Sequence, residues 1–310
     1  MTDGRRAALL ATLVVALLCI ALVARFPSHL LIFAELNNAA HAPVFGAMAI
    51  VWLHILRRYS ALVRWPRYLA AFALSVAIGG LIELIQPALG RGAEILDLVN
   101  DALGAIAGLA IAATIESRRK WILLLGAAAL VPVLWPIGVA AMAYRSRSHE
   151  FPTLIGNYTP ADRYFIYSSG VNFGPAVLPV QWRRSADPLS LKIHIHGMNF
   201  PRITHREPQA DWRGYERLML DITNPGIRPL TLTLSVHERG PKNRTLHRFR
   251  QTFTISASAR RVVSIPLADI AASPGDRDMD MSRIATVILF GKNGAELAGR
   301  EYYLTRLWLE

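Results

Sequence analysis

The residues most able to do chemistry here are polar groups set in a strongly apolar stretch, GGLIELIQPALGRGAEILDLVNDALGAIAG, residues 79–108. Glu83 and Gln86 are three apart, and Asp97, Asn100 and Asp101 recur at i, i+3 and i+4, so each set shares one face of a helix. Pro87 and Gly90 break the stretch into two helices, with Arg91 in the turn between them. Folding the pair back at that turn brings the two faces together. At a rise of about 1.5 Å per residue, Glu83 and Asp97 lie roughly 7 Å below the turn, a depth that His41 shares at the start of an earlier apolar run. Arg91 offers a planar fork for phosphate or carboxylate, and Glu83 or Asp97 together with His41 can move a proton. The candidate catalytic residues are therefore His41, Glu83 and Asp97, and the candidate substrate-binding residues are Gln86, Arg91, Asn100 and Asp101. The competing reading is structural: Glu83, Arg91 and Asp97 form an ion-pair network, and Gln86 and Asn100 serve as interhelical hydrogen-bonding glue. Each ionisable group in a membrane span costs about 2.5 to 3.5 kcal/mol even on the lenient insertion scale, and several in one place weigh toward a site. Gly79, Gly80, Gly104 and Gly108 are expected to allow close helix packing.

The elements that must hold these residues are helices in lipid. The chain has 310 residues, 53% of them hydrophobic, with a mean hydropathy of +0.30, and the apolar residues are concentrated before Tyr144. The expectation is a membrane α-helical bundle of about five transmembrane helices over residues 1–144, a linker over 145–150, and an all-β, jelly-roll-like sandwich over 151–310. The spans read as residues 7–24, 41–56, 68–89, 94–115 and 121–142, with Glu35, Asn37 and Asn38 in the loop before the second. The first could be a signal peptide, but its length and the absence of a small-x-small cleavage site favour an uncleaved helix. Arg5, Arg6, Arg57, Arg58, Arg64, Arg67, Arg118, Arg119 and Lys120 fall on one side of this arrangement, against Arg25 and Arg91 in the opposite short loops. The positive-inside rule then places the N-terminus in the cytoplasm and the β-domain outside the cell membrane. The formal charge of +12 is largely this flanking charge, so nucleic acid is not an expected partner. Cys19 stands alone, which excludes a disulfide framework and a thiol metal site, and no cofactor is expected.

These residues resemble the VanZ-like family of small membrane proteins, named for a teicoplanin-resistance accessory protein. The matching pattern is His41, Glu83-x-x-Gln86, Arg91, Asp97, Asn100, Gly104 and Gly108, within roughly the first 120 residues. Asn37 and Asn38 stand where family members often carry an Asp-Lys pair. The resemblance implies a polytopic protein of the cell envelope and names no reaction.

From about residue 151 the period changes to two. Leu230, Leu232, Leu234 and Val236 alternate with Thr231, Thr233 and Ser235, as in a half-buried strand. Similar runs at 164–168, 191–196, 217–222, 247–255, 261–265, 284–290 and 302–309 predict about eight strands. The order YERLMLDI, VVSIPLADI, RIATVILF, YYLTRLWL resembles galactose-binding-like jelly rolls, which include many carbohydrate-binding modules. Thr305 stands where many of these carry an acidic residue. Asp276, Asp278 and Asp280 are spaced like the start of a calcium loop but lack its Gly and distal Glu, so a solvated turn is expected. His194 and His196 share a strand face, with His205 or His237 as conceivable companions, yet no acidic or Cys partner sits at a recognisable spacing and no metal site is expected. Trp182, Trp212, Tyr215 and Trp308 could stack on sugar rings or fill the core. The expected partners are a membrane lipid or lipid-linked envelope glycan at the membrane site and a polysaccharide at the β-domain. The alternative is a non-enzymatic anchor that displays a carbohydrate- or protein-binding module.

Overall fold

Among the residues that the computed structural model describes (12–14, 16–17, 30–89, 92, 94–185, 187, 189–240, 248–273 and 277–310), four helices are long and apolar enough to cross a membrane. They are α1 (Leu31–Tyr59), α2 (Arg64–Ile85, followed by a 3₁₀ turn Gln86–Leu89), α3 (Ile95–Ser117) and α4 (Ile122–Glu150). Of the expected first span, residues 12–14 and 16–17 are helical and the rest lies outside the described residues. Leu69, Leu84, Ile95, Ile115 and Leu124 are exposed around the bundle, a surface that suits lipid and would be costly in water. The chain divides into two compact units, Met1–Ala140 and Ala141–Glu310.

Two boundaries differ from those expected. Glu35, Asn37 and Asn38, placed in a loop by their polarity, are helical in α1. Their polar groups need partners rather than water, and the Asn38 carbonyl finds one by accepting from Asn100 Nδ2 at 3.1 Å. The 145–150 stretch, expected as a linker, forms the last turns of α4. Within the second unit these turns are held by side chains: Tyr144 donates to the Glu207 carboxylate, Arg147 donates to the Glu207 carbonyl, and the Arg147 guanidinium lies 4.6 Å from the Phe165 ring centre.

Glycine decides how α1 and α3 meet. A Cβ at Gly104 would lie 2.2 Å from the Ala42 carbonyl oxygen, and one at Gly108 would lie 2.2 Å from that of Gly46. The backbones are in direct contact, with Ala49, Leu53, Ala105 and Leu109 packed along the same seam. α3 ends where Arg118 turns left-handed at φ 57°.

The second unit is a sandwich of two antiparallel sheets. Its strands are β1 (Thr153–Gly156), β2 (Ile166–Ser169), β3 (Val171–Ala176), β4 (Ser190–Ile195), β5 (Arg202–Arg206), β6 (Arg217–Asn224), β7 (Leu230–Glu238), β8 (Arg248–Ile255), β9 (Ala259–Pro266), β10 (Ile284–Phe290) and β11 (Glu301–Leu309). One sheet runs β3-β4-β11-β6-β9, with β1 also pairing β11, and the other runs β2-β5-β10-β7-β8. The chain crosses between sheets at every connection except β3–β4 and β7–β8, which is a jelly-roll winding. Alternation supplies the core: Leu191, Ile193 and Ile195 from one sheet meet Leu232, Leu234 and Leu289 from the other. Each such side chain contributes about 1.5–3 kcal/mol by leaving water.

All eight expected runs are strands over most of their length, the run at 164–168 only from Ile166 onward. That run begins in helix α5 (Pro160–Phe165), whose start is fixed by a capping box between Thr159 and Asp162 with Pro160 at the first position. β1, β3 and β5 are strands beyond those expected. β1 has four residues, β3 carries Gly174 and Pro175, and β5 lies between two exposed arginines.

Candidate functional site

In the helical unit, His41 projects from α1 toward two carboxylates of α3. Its Nδ1 lies 2.8 Å from Asp101 Oδ1 and its Nε2 lies 3.6 Å from Asp97 Oδ2. His41, Asp101 and Asp97 are buried at 9%, 1% and 4% exposure, so the interaction occurs out of water. With Nδ1–H donating to Asp101, Nε2 is left facing Asp97, where it can take up or release a proton.

Position on the helix explains how the acids are tolerated. Asp97 sits in the first turn of α3, and the Glu83 carboxylate at the end of α2 accepts from the Glu94 amide, the residue capping α3, at 2.7 Å. Both negative charges therefore lie at the positive end of the α3 dipole. Gly79 makes room for the third: a Cβ there would lie 2.4 Å from Asp101 Oδ2.

Two groups in this region have unmet hydrogen-bonding capacity. Gln86 is fully buried, and neither atom of its amide has a partner among the described residues. The second oxygen of Glu83, Oε1, is buried in the same condition. Unpaired buried polar atoms are uncommon and costly, by about 1–3 kcal/mol each.

Of the expected site residues, His41, Asp97 and Asp101 are brought together, Glu83 caps the neighbouring helix, Gln86 is buried one turn beyond it, and Asn100 ties α3 to α1. Arg91 lies outside the described residues. Asp101, expected from its spacing to be a binding residue, makes the closest contact to His41, a role expected of Glu83 or Asp97. Its separation from Asp97 by a single helical turn could have carried that assignment. Among the described residues no group of three or more His, Cys, Asp or Glu side chains is arranged to hold a metal ion.

The residues singled out in the β-unit separate into core and surface. Trp212 is fully buried and donates to the Gln209 carbonyl at 2.8 Å, so it is a core residue. Trp308 lies beneath the Arg306 guanidinium, 5.0 Å from its ring centre, and Tyr215 packs edge-on against Phe151. Trp182 contributes its carbonyl to the buried Arg260, which also pairs with Asp187 and Asp221 at 2.5 Å each. Thr305 is buried and accepts from Ser190 Oγ at 3.0 Å. His194 and His196 are in edge contact at 4.9 Å and His194 faces Glu301 at 3.3 Å, whereas His205 points into the core and His237 lies on the other sheet. Asp276 lies outside the described residues; Asp280 accepts from the amide and hydroxyl of Ser282, as in a solvated turn.

No protein-family model matches the chain, and no curated protein sequence does. Solved structures match the β-unit. A family 11 carbohydrate-binding module from Clostridium thermocellum, in complex with a β-1,3-1,4-mixed-linked tetrasaccharide, is 15% identical over 46% of this chain and 86% of that one, with a TM-score of 0.34. An exo-β-agarase is 13% identical over 47% of this chain and 23% of its own, with a TM-score of 0.37. An arabinose-bound α-L-arabinofuranosidase is 16% identical over 51% and 26%, with a TM-score of 0.35. At these identities and scores the matches assign neither ligand nor activity to this chain.

Proposed function

We propose that this is a cell-envelope membrane protein whose intramembrane cluster binds a lipid or lipid-linked glycan headgroup at the outer leaflet, while its β-unit binds envelope carbohydrate. The observation that carries the first part is the burial of His41, Glu83, Asp97 and Asp101 in one apolar bundle, beside a Gln86 amide that has no partner among the described residues. A network built only to join helices would be expected to satisfy its own members. Gln86 and Glu83 Oε1 instead have capacity to spare for a polar ligand, and the His41–Asp97 pair could shuttle a proton during any change to it. The VanZ-like pattern supports an envelope location, and the basic residues flanking the spans support an outward-facing cluster.

The anchor reading draws on a different observation, the glycine contact between α1 and α3, which would hold the bundle together without any ligand. Glu83→Gln and Asp97→Asn separate the two, because they keep shape and hydrogen bonding while removing charge. The headgroup reading expects an altered outer-leaflet lipid or cell-wall-precursor profile, equal to that of a deletion strain, with the variant proteins at normal abundance. A wild-type profile from both variants at normal abundance would contradict it.

A further inference from the structure

The outer face of the β2-β5-β10-β7-β8 sheet carries a charge pattern that the membrane site does not use. Strand register places Arg206, Thr286, His237 and Arg248 side by side in one row across the sheet. The next row is Tyr167, Thr204, Ile288, Ser235 and Arg250, and the one after is Ser169, Arg202, Phe290, Thr233 and Thr252. Arginines thus occupy β5 and β8, three strand spacings or roughly 14 Å apart at the backbone, with the Arg250 guanidinium leaning inward to Phe290 of β10 and Thr204, Thr233 and Ser235 buried in the same rows. No Asp or Glu stands in these rows, and none of the four arginines forms an ion pair among the described residues. Elsewhere in this unit arginines do find carboxylates, as Arg260, Arg277 and Arg213 show. Partial burial and the adjacent Arg250 charge hold the Arg248 guanidinium below its usual range, a cost that an external anion would relieve.

We propose that this face binds an extended anionic polysaccharide, one whose sugar units carry carboxylate or sulfate groups. The inference rests on the reading that the β-unit binds carbohydrate, and it names the chemical class and the surface. Guanidinium forks suit carboxylate and sulfate oxygens, and four of them on one face can meet successive charged units of an extended glycan chain. Two features disfavour other polyanions. The Tyr167 ring lies under the Arg206 guanidinium at 4.4 Å and the Phe290 ring has that of Arg250 at 5.8 Å, so these rings are less open to stack nucleobases. The same capping leaves cations rather than apolar side chains outermost, unlike a face that inserts into a bilayer.

The test uses the full chain in phosphatidylcholine nanodiscs at low ionic strength, with polygalacturonate, dextran sulfate, a neutral mixed-linked β-glucan, oligothymidylate and phosphatidylglycerol vesicles as probes. The expected result is binding to polygalacturonate or dextran sulfate that weakens at least about tenfold in R202Q/R206Q and in R248Q/R250Q, and that falls with added salt. R183Q/R184Q removes equal charge from exposed positions in the segment pinned to the other sheet by Arg260, and should bind as wild type. The exposed single variant R250Q, with an unchanged melting temperature, guards against loss of fold as the cause. Equal weakening by R183Q/R184Q would overturn the assignment to this face. Binding of the neutral glucan alone would overturn the anionic inference while leaving the carbohydrate reading intact, and binding of no glycan would end both. Tighter binding of oligothymidylate or the vesicles than of either anionic glycan would show that the occupant is wrong.

Discussion

At the scale of single residues, burial sets the protonation of two groups in the β-unit, in opposite senses. His205 is buried in the core beside Phe165, and desolvation pushes its imidazole down to about 4. Its folded-state value lies below its unfolded one, so its contribution is present above about pH 6.5 and is lost as pH falls toward 4, by about 3 kcal/mol in all. Asp162 is pushed up to about 7, burial outweighing the amide hydrogen bonds from Gly156 and Thr159. Its contribution is present below the ordinary carboxylate value near 3.8 and is lost as pH rises through 7. Denaturant unfolding of the full chain across pH 4–8 should therefore show His205→Gln with a shallower acid limb than wild type and Asp162→Asn with a shallower decline toward neutrality. Parallel profiles for all three proteins would contradict both assignments. In the membrane unit, the i, i+3 and i+4 spacing makes the cluster legible in the sequence itself. The detailed pairing is not legible there, because whether His41 meets Asp97 or Asp101 depends on how far α1 slides along α3.

At the scale of elements, that slide is set by Gly46, Gly104 and Gly108, and the difference among glycine positions is testable. Gly104→Ala or Gly108→Ala drives a methyl into backbone oxygen of α1, which cannot rotate away, and should cost at least about 1–3 kcal/mol. Gly80 has open space within 4 Å of where a methyl would stand, so Gly80→Ala should be neutral or stabilising through helix propensity alone. Thermal melting in detergent distinguishes them: similar midpoints for Gly104→Ala and Gly80→Ala would show that the α1–α3 contact is looser than described. The length of the apolar runs locates the four described helices, and alternation locates most strands because burial on one face imposes it. Both fail where other forces govern. Glu35, Asn37 and Asn38 remain helical because a bundle partner meets the backbone there, and α4 runs on to Glu150 because Tyr144 and Arg147 are held by Glu207. β3 escapes notice because Gly174 and Pro175 interrupt its alternation at a position beside only one neighbouring strand, β4.

At the scale of the whole molecule, the proposed function depends on which side of the membrane each part faces, and the flanking charge supports the outward orientation. A reporter active only outside the cytoplasm, fused after Glu310, should give signal, and a cytoplasmic-only signal there would overturn the outer-leaflet site. The most direct measurement of the central claim is native mass spectrometry of the intact protein released from detergent micelles, comparing wild type with Glu83→Gln and Asp97→Asn. The account predicts that wild type retains one class of polar lipid or lipid-linked glycan that both variants lose, with the variants folded and melting as wild type does. The same retained lipids in all three proteins would contradict it.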